Sequence, residues 1–338
     1  MLTSRAAVLP TLGDPYVAKI WLTSYERFWH NEIDKLYVYV NSGVEDPVFN
    51  YTVDLFKAAG AEILTARNLV DHGPALTAMI DQATEENIYI VEEDFYMMSS
   101  GNIKQWFEMV EGGVVDAVVS ERGCCGTEII DKLRSTYNIQ GKAATQPNFW
   151  PSLLVTGRDK LLATDHNFAA KCFPAGEKVI GDWAPTVDTA GDTFVWASIQ
   201  LRAQNLRFHY ENQWRLIDVT STRPGWVPPW LHFGSTSTTL NGGLLDENMR
   251  MLGNRNPNAA PYAHQTVPDE GIRVHFETKM AFWKLLCNRF AIPAGHPAEY
   301  FNKVYSDAID RSVVACGLRV PEIKKDYVSY LNLLSPLL

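Results

Sequence analysis

With 338 residues, 46% of them hydrophobic and 20% charged, the chain has the make-up of a globular protein with one large core or two modest ones. A formal charge of -9 at pH 7 weighs against bulk coating of nucleic acid, while leaving room for a local basic groove. No run approaches the roughly 20 apolar residues that a membrane-spanning helix requires.

The first hundred residues alternate between two periods. RAAVLPT reads as a strand ending at Pro10-Thr11. DPYVAKIWLTSYERFW then places Val17, Ile20, Trp21, Tyr25 and Phe28 at helical spacing, with Asp14 as N-cap and Pro15 in the first turn. KLYVYVN is a second strand, DPVFNYTVDLFKAAGA a second helix closed by Gly60, and AEILTA a third strand. GPALTAMIDQATEE and IYIVEED complete the series as helix and strand. Such alternation predicts a mostly parallel α/β sheet with flanking helices, which binds ligands at the carboxyl ends of its strands. Pro10-Thr11, Asn41 and the run Glu92, Glu93, Asp94 all fall at those ends.

Beyond residue 100 the rhythm weakens. SGNIKQWFEMVEGG reads as a helix, DAVVSERGCCG as an edge strand with a loop, and NFWPSLLVTGRDKLLAT as a strand with a short helix. TFVWASIQLRAQN is an amphipathic helix, and Thr220 to Asn258 forms a long Gly, Pro, Ser and Thr-rich loop. FETKMAFWKLLCNRF and HPAEYFNKVYSDAIDRSVVACG read as C-terminal helices. The expected organisation is an α/β half over 1–120, a second half with the long loop over 121–245, and a helical extension over 246–338. The opening MLTSRAAVLPTLGDPY lacks a secretory pattern, and Cys124, Cys125, Cys172, Cys287 and Cys316 are odd in number without a CxxC. Both points fit a reducing, cytoplasmic setting.

Three stretches carry chemistry. In strand geometry Glu92 and Asp94 share a face and Glu93 points away, so one acid could take a metal and the other a ribose hydroxyl. The plain alternative is a solvated strand end. Asp192, just ahead of the helix in GDTFVWASIQL, is either a helix cap or a general base, with Asp182 and Asp188 as competitors. His232 in WLHFGSTST is either a packed corner or a third ligand for Mn²⁺, with a Gly-Ser-Thr loop behind it able to wrap phosphates. Trp226 and Trp230, in RPGWVPPWLHF, offer rings to a sugar face or a flipped base.

Taken together, VLPT, VYVNSG, NLVDHGPALTAMI, IVEEDFYM, GDTFVWASIQLRAQNLRF and LHFGS resemble the motif series of family-2-like nucleotide-sugar glycosyltransferases of the GT-A fold, over roughly residues 5 to 240. The resemblance implies a Rossmann-like, mostly parallel sheet and a nucleotide-sugar donor, such as a UDP-sugar. It implies donor contacts at Pro10, Thr11, Asn41, Asn68, Gly73 and Glu92. It also implies Mn²⁺ or Mg²⁺ held by Asp94 and His232, and inverting transfer with Asp192 as base. The acceptor would be a saccharide or, as in phage enzymes that resemble this family and work in a host's cytoplasm, a hydroxymethylated base in DNA; Trp226 and Trp230 would face it. Two departures stand out: Glu92 replaces the first Asp of the metal motif, and Asn41 replaces an acid that reads the base. Two other classes compete. A nucleotidyltransferase would carry a basic, Gly-rich loop after the first strand, and PTLGDPY has no lysine. A non-catalytic carbohydrate-binding module would need the tryptophans but none of the acids.

Overall fold

The computed structural model describes residues 3–41, 47–66, 70–120, 126–140, 149, 151–165, 167–191, 193–212, 214, 226–233, 281–315 and 334–337. In chain order the first elements are β1 (Arg5–Thr11), α1 (Pro15–Phe28), β2 (Lys35–Val40), α2 (Pro47–Ala58), β3 (Glu62–Thr65), α3 (His72–Gln82), β4 (Asn87–Val91) and β5 (Phe95–Met97). There follow α4 (Asn102–Glu111), β6 (Ala117–Ser120), α5 (Thr127–Thr136), β7 (Leu153–Gly157), α6 (Arg158–Leu162), β8 (Lys171–Phe173) and β9 (Thr189–Gly191). The last are α7 (Val195–Ala203), β10 (Phe208–Glu211), β11 (Trp230–His232), α8 (residues 281–289) and α9 (Tyr300–Ala315).

Seven strands form the central sheet in the order β10-β6-β7-β4-β1-β2-β3. All neighbouring pairs are parallel except those of β7, which runs against both β4 and β6. This is the expected α/β class, a mostly parallel sheet with flanking helices. The expected edge strand at DAVVS is instead interior, because β10 pairs outside it. FHYE is short and half-exposed at every position, so it lacks the apolar alternation that would announce a strand.

Side chains of a strand alternate between faces, and both faces are covered here. Ala7, Leu9, Val38, Tyr89, Val91 and Val155 point into one core with α1, α2 and α4; Ala6, Val8, Tyr37, Ile88, Ile90 and Leu154 point into the other with α3 and α7. The C-terminal helices belong to the first of these cores. Phe282, Trp283, Phe301 and Tyr305 are buried in it with Tyr16 and Trp21 of α1. Tyr16 stacks on Phe301 at 5.8 Å and donates its hydroxyl to Asn302 Oδ1 at 2.7 Å. Among the described residues no helix is long and apolar enough to cross a membrane.

Candidate metal and donor site

The sheet delivers β1 and β4 side by side to its carboxyl edge. Ladder pairing of β4 stops at Val91, and a tight turn follows in which Phe95 N–H donates to the Glu92 carbonyl at 3.2 Å. Glu92 and Asp94 therefore converge through a turn, where strand alternation had been expected to align them. Phe95 then opens β5, whose antiparallel partner is β11. That register sets His232 opposite Phe95, and Phe233 N–H donates to the Asp94 carbonyl at 2.8 Å. A residue 138 positions further along the chain (232 − 94) is thus brought to the acidic turn.

His232 Nε2 lies 3.3 Å from Asp94 Oδ1 and 3.6 Å from Glu92 Oε2. One ligand atom from each of the three residues falls within 4.8 Å of the others. Ligands at right angles on a small divalent ion with bonds of about 2.1 Å sit about 3 Å apart, so the spacing fits a shared cation. The donor set, two carboxylates and an imidazole, suits Mn²⁺ better than Mg²⁺, which prefers oxygen ligands throughout. His232 and Asp94 are 3% and 7% exposed, while Glu92 is half-buried on the solvent side.

Glu93 does point away from this cluster, but into protein. Its Oε2 accepts from Thr11 Oγ1 at 2.6 Å and from Leu12 N–H at 3.1 Å. Burial pushes its carboxyl up to about 8, with repulsion from Asp94 and Asp14 adding to the rise and the two hydrogen bonds opposing it. Asp14 caps α1 as expected, accepting from Tyr16 and Val17 N–H at 2.7 and 3.2 Å. Burial raises it to about 6. Its second oxygen and the Tyr305 hydroxyl are both sealed from water without a hydrogen bond of normal geometry.

The remaining expected donor residues divide. Pro10 and Thr11 end β1 beside the acidic turn, both buried. Asn41 follows β2, and its side-chain amide both donates to the Val70 carbonyl and accepts from Val70 N–H, the latter at 2.8 Å. It clamps the chain after β3. Gly73 is required by close approach, since a Cβ there would lie 2.2 Å from the Ala169 nitrogen. His72, which the motif reading passed over, starts α3 within electrostatic reach of Asp94; burial pushes its imidazole down to about 4, with Asp94 pulling it upward. Asn68 and Asp192 lie outside the described residues. Asp182 pairs with Lys178 and Asp188 accepts from Ala175 N–H, both on the exposed connection between β8 and β9.

Of the two expected acceptor tryptophans, Trp230 is a core residue. It is 5% exposed, donates Nε1–H to the Asn212 carbonyl at 3.1 Å and packs edge-on against Trp106 at 5.1 Å. Trp226 is half-buried and meets Trp214 edge-on at 4.7 Å, and the Trp214 carbonyl accepts from His232 N–H at 2.9 Å. Trp214 was not anticipated. It sits in a stretch, ENQWRL, with no periodicity to single it out.

No protein-family model and no curated protein matches the chain. Among solved structures it is similar to glucosyl-3-phosphoglycerate synthase from Mycobacterium tuberculosis, solved in complex with Mn²⁺, UDP and glucosyl-3-phosphoglycerate; identity is 13% over 62% of this chain and 70% of that one, with a TM-score of 0.39. It is also similar to a mannosyltransferase from Pyrobaculum calidifontis in complex with GDP-Man and Mn²⁺, at 10% identity over 100% of this chain and 85% of that one, with a TM-score of 0.43.

Proposed function

We propose that the protein is a metal-dependent glycosyltransferase that moves a sugar from a nucleoside-diphosphate sugar to an acceptor hydroxyl. The observation that carries this reading is the convergence of Glu92, Asp94 and His232 at the carboxyl edge of an open α/β sheet, beside the end of β1. Asp94 and His232 hold the cation, and Glu92, on the open side, either joins them or takes a ribose hydroxyl. When bound, Mn²⁺ or Mg²⁺ supplies positive charge for the departing diphosphate. Thr11, Pro10 and the Asn41-clamped segment line the nucleoside side, with the Gly73 turn next to it, and Asn68 is assigned to the donor from its motif alone.

Asp192, directly after β9, takes the proton of the acceptor hydroxyl as its oxygen bonds to the anomeric carbon. The bond from that carbon to the diphosphate breaks, the nucleoside diphosphate leaves, and configuration inverts. The Trp214–Trp226 pair favours a saccharide acceptor, since aromatic faces suit sugar rings. The net charge of -9 disfavours DNA.

A thermal-shift panel of UDP-, GDP- and dTDP-sugars, each with and without Mn²⁺, tests the assignment. Metal-dependent stabilisation by one donor is expected, because only ligands of the native state raise Tm. Chelation should then abolish turnover, Mn²⁺ should restore it, and the anomeric configuration of the product reports inversion. If no donor stabilises the protein in either condition, the transferase reading is lost.

A further inference from the structure

An acid between two metal-ligand candidates is an odd residue to bury, because a carboxyl taken out of water is costly unless its oxygens find donors. Glu93 finds two, and both belong to the turn after β1: Thr11 Oγ1 at 2.6 Å and Leu12 N–H at 3.1 Å. Thr11 Oγ1 in turn accepts from Gly13 N–H at 3.1 Å, and the Thr11 carbonyl accepts from Asn41 N–H at 2.8 Å. Gly13, at φ 86°, has a carbonyl that accepts from Thr52 Oγ1 at 2.8 Å. One buried side chain thus fixes the 11–13 turn against the 92–94 turn, and the neighbours of that side chain on either side are the two acids of the cation cluster.

We propose that Glu93 is a positioning residue that sets the nucleoside-side turn in register with the cation-holding turn, so that base and diphosphate of the donor are met together. This rests on the glycosyltransferase reading. The side chain touches neither donor nor cation; it acts through Thr11 and Leu12. The role needs an acceptor oxygen at this position more than a charge, so glutamine serves and alanine does not.

The test is the split between donor KM and kcat, measured at saturating Mn²⁺. Glu93→Ala is expected to raise donor KM about tenfold, the effect of losing two modest hydrogen bonds, with acceptor KM unchanged. Thr11→Val, which keeps shape and removes the hydroxyl, should shift donor KM in the same direction, and Glu93→Met, which keeps the volume without the acceptor oxygens, answers the question if the alanine variant does not fold. Glu93→Gln should recover donor KM to within about threefold of wild type, because its amide oxygen accepts from the same two donors. A purely structural residue would lower Tm and active fraction while leaving donor KM where it was, and that result in both Glu93→Ala and Thr11→Val overturns the proposal. So does a glutamine variant no better than alanine. A wild type that neither binds nor turns over any nucleoside-diphosphate sugar removes the transferase reading itself, a failure recognisable before any variant is made.

Discussion

The two walls of the site are held in different ways. On the proposed donor side, Thr11 ends β1 and Glu93 lies in the turn just past β4, both strands being central, hydrogen-bonded along both edges and buried on both faces. On the facing side, His232 rides on a three-residue strand whose ladder partner is the equally short β5. Backbone hydrogen bonds to Trp214 and Asp94 and packing hold that strand, with Phe233 lying 4.3 Å from Phe282 and 5.8 Å from Trp283 of α8. One wall is therefore set by the central sheet, and the other by a short ladder together with contacts to helices from the end of the chain. Disturbing the packing should loosen the cation site before it loosens the nucleoside site.

The largest effect should come from the cluster itself. Asp94→Ala or His232→Ala is expected to lower kcat/KM by about a hundredfold or more with the far-UV spectrum unchanged. Activity retained in both would remove the cation from the mechanism. Next, Phe233→Ala empties a packed aromatic contact and should cost about 3–5 kcal/mol of stability in a denaturant titration. It should also raise the Mn²⁺ concentration for half-maximal activity more than it raises donor KM; equal shifts would mean that the two walls are not independent. Trp226→Ala should raise acceptor KM about fivefold and leave donor KM alone, and a change in donor KM would place that ring on the wrong side of the site.

The smallest effect concerns α1. Burial lifts the Asp14 carboxyl from 3.8 to about 6, so the folded state prefers it protonated. That contribution to stability is full below the unfolded value near 3.8 and is lost as pH rises through the folded value. Asp14→Asn, a good cap without the charge, should gain a few degrees of Tm on the wild type between about pH 4 and 6. A Tm difference that stays constant across that window would show that Asp14 is not the group being titrated.

The donor-side wall was readable from residue order because its information is local. Strands β1, β2 and β4 are apolar runs set off by helices whose 3.6-residue period can be counted, and Asp14-Pro15 marks a helix start by chemistry alone. The cation-side wall depends on pairing between segments far apart. FYM and WLH are three residues each, too short for any period, and nothing in either stretch names the other as partner. The His232 motif reading found the right neighbourhood without the strand that explains it. Glu93 was passed over for a related reason: a middle acid in a charged run reads as solvated, and only the neighbouring β1 turn supplies the donors that make its burial tolerable. Trp230 misled in the other direction, since a tryptophan in a Gly and Pro-rich stretch looks available for a ligand until Trp106 is found packed against it.

The pairing of β5 with β11 also has a consequence for folding. Asp94 and His232 are separated by 138 residues (232 − 94), so their meeting closes a very long loop of chain, and chain entropy opposes it until the later segments have docked. A cation bridging them would act as a clasp on that loop. Its affinity would measure how completely the chain had folded, and a half-folded molecule would be silent as an enzyme before it was visibly unfolded.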